Sequence, residues 1–416
     1  MIRSGHIDTF SRDNLPPENL WPILEDPDQR ISYPDRLNAA VELLERSCQR
    51  LAKSSSENKI ALFGAEGSMS YKEFDRYVKQ IANYFEDLGV KPGNRILLRG
   101  PNNISIVALW FAALRVGAVV VTTIHLQRAS EIEKIVEIGK IQFAAVDHRY
   151  LEEWSAVAGF SGSLLVYGGD ESFLEKVTSY PGEHRPCDTA ADDVALLAFT
   201  SGSTGQPKST IHFHRDLLAI ADTFGREIVQ ADESDIFSGT PPIAFTFGLG
   251  GLVIFPFRVG ASTVLLEATP PAQLPDAIEK YQITALFTAP TAYRVILATL
   301  IKDNSLPKIT SLKKCISAGE HLPKSTWESF YEGTGIKLID GIGATEMLHI
   351  FISASGDEII PGMTGRAIKG YRAKVVDEDF NEVADGEIGR LAVYGITGCR
   401  YLNDERQKVY VNNGWN

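Results

Sequence analysis

From about residue 60 onward the chain alternates short apolar runs with amphipathic helical stripes, and this alternation constrains the fold more than any other feature. Phe74, Val78, Ile81, Phe85 and Leu88 recur at intervals of three and four, which predicts a helix over 71–88 with Gly89 as its stop. Strands are expected at 95–98, 118–122, 143–146 and 164–167, separated by helices at 104–116 and 129–138. Strands that alternate with helices imply crossover connections and therefore parallel sheet. After a polar stretch at 168–193 the pattern restarts with strand 194–199, a return strand at 209–213 and a helix at 214–229. Strands 236–239, 263–266, 285–288, 314–317 and 337–339 then lie among helices 250–259, 274–281, 290–301 and 323–331. From 351 the helices stop, and 351–353, 371–376 and 390–394 read as short strands.

The segment before this pattern is different. Residues 1–35 are polar and marked by prolines, an extended arm; 36–51 carries a helical stripe, and Glu66-Gly67 between 60–63 and 68–71 signals a hairpin. The expected architecture is α/β: two layered α/β subdomains with mostly parallel sheets, spanning 1–190 and 191–350. A small β-barrel-like subdomain at 351–416 closes the chain.

A chain of 416 residues with 44% hydrophobic and 23% charged content has room for two to three lobes and a substantial core. The net charge of −12 argues against a nucleic-acid or anionic-membrane surface, either of which wants a basic face. It leaves room for a small anion in a local basic pocket. Cys48, Cys187, Cys315 and Cys399 lie far apart, with neither disulfide-frame nor zinc spacing. The first residues lack an apolar signal core, and the longest apolar stretch, 104–123, is broken by Arg115 and Gly117. A cytoplasmic location is expected. His212 and His214 would share one side of a strand, open to reading as a metal pair or, more simply, as core histidines.

Four stretches carry chemistry. In the first, the apolar run 196–199 enters Thr200-Ser201-Gly202-Ser203-Thr204-Gly205-Gln206-Pro207-Lys208. Hydroxyls, close-approaching glycines and one cation suit a polyphosphate, although a Ser/Gly surface turn has the same composition. It is not the common P-loop, because counting from Gly202 puts Pro207 where the second glycine belongs. In the second, Asp340-Gly341-Ile342-Gly343-Ala344-Thr345-Glu346 sits at a strand end, where open α/β sheets place ligands. Thr345 can donate to a phosphate and Glu346 can hold Mg²⁺ against it. The third, Ser317-Ala318-Gly319-Glu320, reads either as the floor of a purine site or as an ordinary helix-entry turn. The fourth runs from Pro241 to Gly250, where Phe245, Thr246, Phe247 and Gly248 can wall a planar apolar pocket or simply pack in the core.

Taken in this order, the four motifs resemble the adenylate-forming superfamily of acyl-CoA synthetases, adenylation domains and luciferases. Ile342, where many members carry Tyr, and the following Met347-Leu348-His349-Ile350-Phe351 resemble the benzoate-type aryl-CoA ligases. Stretches 8–17, 33–38 and 395–402 are similar to 2-aminobenzoate (anthranilate)–CoA ligases, and the likeness covers nearly the whole chain.

The resemblance implies an ATP- and Mg²⁺-dependent reaction of a small aromatic carboxylic acid, giving an acyl-adenylate that passes to coenzyme A with release of AMP. Thr200, Ser201, Gly202, Ser203, Thr204, Gly205 and Lys208 would hold the β/γ-phosphates, in a loop that is often mobile in the family. Thr345 would sit on the α-phosphate and Glu346 on the metal. Ser317, Ala318, Gly319, Glu320, Asp340, Gly341 and Ile342 would frame the adenine. Phe245, Thr246, Phe247, Gly248, Ala318, Gly343, His349 and Ile350 would line the aryl slot, with His349 meeting the carboxylate or an ortho substituent. A carrier-protein thiol as acceptor, or a non-catalytic nucleotide- or aryl-binding module, are the alternatives. Relatives continue beyond Asn416 into a Thr-Gly-Asp motif and a mobile C-terminal domain of roughly a hundred residues. The implied expectation is a large N-terminal domain that binds substrates and is weakly active or inactive by itself.

Overall fold

The computed structural model describes residues 2–56, 58–200 and 206–416. The first eight strands are β1 (Ile60–Gly64), β2 (Gly67–Ser70), β3 (Arg95–Arg99), β4 (Val119–Thr123), β5 (Phe143–Asp147), β6 (Ser163–Tyr167), β7 (Val194–Thr200) and β8 (Lys208–Phe213). They are followed by β9 (Ile236–Gly239), β10 (Ser262–Leu265), β11 (Ala285–Thr288), β12 (Lys314–Ser317), β13 (Leu338–Gly343), β14 (Ile350–Ser353), β15 (Arg366–Ala367), β16 (Tyr371–Val376) and β17 (Arg390–Gly395).

Two large sheets form. One has six strands in the order β6-β5-β3-β4-β7-β8, the other nine in the order β15-β14-β13-β12-β11-β9-β10-β1-β2. Within each, the central neighbours are parallel; β8, β2, β14 and β15 add antiparallel edges. β3, β4 and β5 are buried along their whole length, as parallel strands covered on both faces must be.

Between the sheets lies a shared helical layer. The helix Ile104–Arg115 is apolar all round and touches β1, β3 and β4, so it spans both sheets. Asn103 caps it by accepting from the Ile106 N–H at 2.9 Å, and Arg115 at its far end pairs with Glu45 at 2.8 Å. Beside it, Tyr71–Asp87 starts from a Ser70/Glu73 capping box, in which each side chain satisfies the other's backbone N–H. One large core fills this layer, and two smaller cores cover the outer faces of the two sheets.

The expected division of the chain differs from what the sheets do. β7 and β8 join the sheet of the first lobe, while β1 and β2 cross to the second, pairing Leu62 with Thr263. A boundary at 190/191 therefore cuts both sheets. The last stretch does not close into a barrel either: β14 and β15 extend the nine-stranded sheet, and β16 pairs with β17 alone. The physical reason is the same in both cases. Strand pairing is long-range, and local periodicity carries no information about the partner.

Residues 2–35 lie against the body as expected of an arm. The Ile7 and Asp8 N–H groups donate to the Pro92 carbonyl, and Arg12 reaches the fully buried Asp193 at 2.9 Å. No helix among the described residues is long and apolar enough to cross a membrane.

Candidate active site

In the nine-stranded sheet β9 is followed by β10 on one side and β11 on the other, so the strand order reverses between β9 and β11. Such a reversal leaves a crevice at the carboxyl ends of the strands. Thr240 and Thr288 meet across it at 2.6 Å. The loops that leave β9, β12 and β13 converge there on a pocket of about 410 Å³ lined by Pro241, Phe245, Thr246, Phe247, Ala318, Gly319, Gly343, Ala344, Thr345, His349 and Ile350. Seven of the eight expected aryl-slot residues are in that lining. The eighth, Gly248, is buried outside that lining and packs so closely on Pro242 that a Cβ would lie 2.2 Å from its carbonyl oxygen.

The apolar end of the pocket is an aromatic box. His349 lies among Phe224, Phe247 and Phe255, with ring centroids 5.2, 5.8 and 4.7 Å away. Burial pushes its pKa down to about 3, only partly opposed by the Phe247 main chain, so the imidazole is neutral. Neither ring nitrogen makes a hydrogen bond of normal geometry. Leu348, held at φ +69°, turns the chain so that His349 and Ile350 face the pocket, a strain of about 1–3 kcal/mol characteristic of functional sites.

Asn102 and Thr122 escaped the sequence reading. Asn102 donates to the Pro241 carbonyl at 2.9 Å and accepts from the Ile243 N–H at 2.9 Å. Thr122 donates to the Ala244 carbonyl at 3.1 Å. The first lobe thus clips the Pro241–Phe245 wall of a pocket built on the second.

The residues expected to frame the adenine lie in or beside this pocket. Ser317, the last residue of β12, and Asp340, within β13, are register partners; β13 runs on to Gly343, past the expected strand end at 339. Ala318 and Gly319 face the cavity, Gly319 with φ +87°, whereas Glu320 is exposed. Ile342 is 41% exposed on the rim. Gly341 is required by packing, since a Cβ would fall 2.6 Å from the Ile350 side chain. Asp340 accepts from Thr364 at 3.0 Å; burial raises its pKa, and that hydrogen bond only partly offsets the effect. Thr364 had no signal in the sequence.

The charged end is tighter. Thr200 and Lys208 are register partners at the end of the β7–β8 pair. Ser201, Gly202, Ser203, Thr204 and Gly205, with the expectation of a mobile loop, lie outside the described residues. The Lys208 ammonium stands 2.7 Å from Glu346, which is nearly buried, and the Tyr401 hydroxyl donates to the same carboxylate oxygen at 2.6 Å while also meeting Lys208. Burial pushes the Glu346 carboxyl up, but the Lys208 and Tyr401 contacts outweigh it and hold the pKa below the usual value. The Thr200 hydroxyl is buried with no partner among the described residues.

His212 and His214 are both fully buried, the simpler of their two readings, and they do not act as a pair. His212 Nε2 donates to the Thr345 carbonyl at 2.8 Å, and burial lowers its pKa to about 4. His214 instead opens the helix His214–Ile220 and accepts from the Ala39 N–H. Among the described residues no cluster of three or more His, Cys, Asp or Glu could hold a metal by itself. One ionised carboxylate beside a cation and an orphan hydroxyl suits a magnesium ion that arrives with a polyphosphate and takes most of its ligands from phosphate and water. All four cysteines are free thiols.

Known proteins resemble this chain over most of its length. The AMP-binding enzyme family model matches residues 48–400. A benzoate–CoA ligase of Thauera aromatica is 30% identical over 375 residues, 88% of this chain and 70% of that protein. An anthranilate–CoA ligase of Pseudomonas aeruginosa is 25% identical over 340 residues, covering 78% and 63%. Among solved structures, the anthranilate CoA ligase AuaEII in complex with anthranoyl-AMP superposes with a TM-score of 0.85 at 31% identity, covering 92% of this chain and 74% of that one. A benzoate CoA ligase from Burkholderia xenovorans LB400 gives 0.82 at 26%, covering 90% and 74%. With four-fifths of its length matched by one model, the chain belongs to the family of AMP-binding enzymes.

Proposed function

We propose that the protein activates a benzoate-type aromatic acid with ATP, forming an acyl-adenylate that is then transferred to coenzyme A. The observation that carries this reading is the adjacency of two unlike compartments. An aromatic-walled pocket reaches Thr345, whose chain neighbour Glu346 pairs with Lys208 at the start of β8. Relatives named as benzoate– and anthranilate–CoA ligases support the aryl class and the coenzyme A acceptor; nothing in them supports a carrier-protein thiol.

In the first step a carboxylate oxygen of the acid attacks the α-phosphorus of ATP, and the bond to pyrophosphate breaks. In the second the coenzyme A sulfur attacks the acyl carbon and AMP leaves. The aryl ring would lie between Phe247, His349 and the Ala318-Gly319 floor, which orients its carboxylate toward Thr345. Thr345 would donate to the α-phosphate, and Lys208, with the hydroxyls at 200–204, would take up the charge that develops on the leaving pyrophosphate. Glu346 would hold Mg²⁺, which when bound neutralises charge on the phosphates. Asp340 and Ser317, each with a buried unpartnered oxygen, would meet the polar edge of the adenine and its sugar. His349, neutral and unpartnered, offers a hydrogen bond to an ortho substituent.

Calorimetric titration with benzoate, 2-aminobenzoate, 4-hydroxybenzoate and a linear acid of similar size, each with AMP or ATP present, tests the assignment. Aromatic acids should bind at least tenfold more tightly than the linear one, since a planar pocket loses most of its contact with a flexible chain. Equal affinity for the linear acid would overturn it.

A further inference from the structure

We propose that Tyr401 is a positioning residue for the nucleotide step, its hydroxyl fixing the Glu346 carboxylate and the Lys208 ammonium in a single arrangement ready for metal-bound polyphosphate. The inference rests on the function just proposed and names a component of its charged end.

A tyrosine 55 residues from Glu346 and 193 from Lys208 reaches them because the chain returns alongside β8. The Ile211 N–H donates to the Arg400 carbonyl at 2.7 Å, and the Leu402 N–H donates to that of Ser209 at 2.9 Å, so residues 400–402 run as an added edge strand. Two locks keep that edge in register. The Arg400 guanidinium is fully buried against the fully buried Asp216 and lies 4.0 Å over the Phe213 ring. The Tyr401 N–H donates to Gln407 at 2.8 Å, and Arg406 reaches the carbonyls of Gln206 and Pro207 at the end of the hairpin loop. The Tyr401 backbone is thus held on both sides, and its side chain is fully buried.

Its proton inventory fits one arrangement. The ammonium can only donate and the ionised carboxylate can only accept, so the hydroxyl accepts from Lys208 and gives its single proton to Glu346. The carboxylate is thereby held from two sides. When phosphates draw the ammonium away, the Tyr401 hydrogen bond still aims the carboxylate. The ring has a separable role: it packs edge-on to Tyr410 at 5.5 Å and lies 4.6 Å from the Lys208 ammonium. Phenylalanine would keep both of those contacts and lose only the hydroxyl.

Tyr401→Phe is the direct test, read by binding rather than turnover. The Kd for Mg·ATP and the Mg²⁺ concentration for half-maximal ATP binding should both rise about tenfold or more, the cost of a hydrogen bond to a charged group. Affinity for metal-free AMP and for 2-aminobenzoate should stay within about twofold. An unchanged Mg²⁺ dependence overturns the proposal, and so does a uniform loss of AMP, acid and Mg·ATP binding, which would make the residue structural only. Should the variant fail to fold, 3-fluorotyrosine at position 401 of the otherwise unaltered protein gives a second readout. Its ¹⁹F resonance should move on saturation with Mg·ATP and stay put with AMP; an unmoved resonance under Mg·ATP overturns the assignment. A wild-type protein that binds Mg·ATP but no aromatic acid would sink the aryl-ligase reading while leaving this test intact.

Discussion

The two ends of the site are built on opposite principles. At the charged end, Lys208, Glu346 and Tyr401 come from three distant parts of the chain, and each satisfies a specific proton or charge of the others. At the aryl end, Phe224, Phe247, Phe255 and His349 meet through shape alone, and the polar atoms of His349 are left unpaired. A charged cluster fails when one member is removed, because a buried charge is then uncompensated. An apolar box fails by losing volume or rigidity, gradually and in proportion to the change.

The largest expected effect follows from breaking the charged end. Lys208→Met leaves Glu346 buried beside an apolar stem. Nucleotide binding should fall at least 100-fold, as charge-assisted contacts are lost. Stability should drop by about 3 kcal/mol at pH 7, toward the low side for buried pairs because the Lys208 side chain is 19% exposed. The pH dependence has a definite sign. In the wild type the Glu346 carboxyl lies below its ordinary value of 4.5, so its contribution is present above that value and is lost as pH falls through the folded one. In the variant, burial acts unopposed and raises the pKa. The deficit, measured by urea unfolding, should therefore be greatest near neutrality and shrink below about pH 4. A deficit that grows on acidification contradicts the pairing.

Overfilling the aryl end should come next. Gly250→Ala puts a Cβ 2.3 Å from the His349 ring, which must tilt into the cavity. Overpacking of about 1–3 kcal/mol, if borne by the bound state, translates into a loss of aromatic-acid affinity of about 5- to 140-fold, with ATP affinity intact. Calorimetry on both ligands checks the split.

Loosening the wall instead of filling it should cost less. Asn102→Ala frees the Pro241 carbonyl and the Ile243 N–H, and water access to the pocket rim recovers part of that loss. Aromatic-acid affinity should weaken about 5- to 10-fold, and the preference for small over bulky rings should relax. A change confined to ATP binding would separate Asn102 from the pocket.

The smallest expected effect is none. His349 has a pKa of about 3, so it stays neutral across the working range. Affinity for benzoate should be flat from about pH 5.5 to 8, above the carboxyl titration of the acid. An inflection near pH 6.5 in the binding isotherms would show that the ring charges and that the box is wetter than the structure has it.

How far the sequence was readable follows the same line. The helix at Tyr71–Asp87, the buried strands β3, β4 and β5 and the hairpin β1–β2 were legible because periodicity, capping residues and turn signals are local. The motifs at 317–320 and 340–346 were legible as neighbours because they follow from adjacent parallel strands. Asn102 and Tyr401 were not, since each reaches its partners only through a contact between elements far apart in the chain. The strand exchange between the two lobes was invisible for that reason too.

By itself, then, the order of residues determined an α/β chain with parallel sheets, a hydroxyl-rich hairpin ending in Lys208 and a strand-end carboxylate at Glu346. Which sheet each strand joins, how the first lobe clips the aryl wall, and why Tyr401 stands between Lys208 and Glu346 were decided only by the tertiary structure. Local patterns are set by the backbone periods of helix and strand. Long-range pairings are set by the joint burial of surfaces that no short window contains.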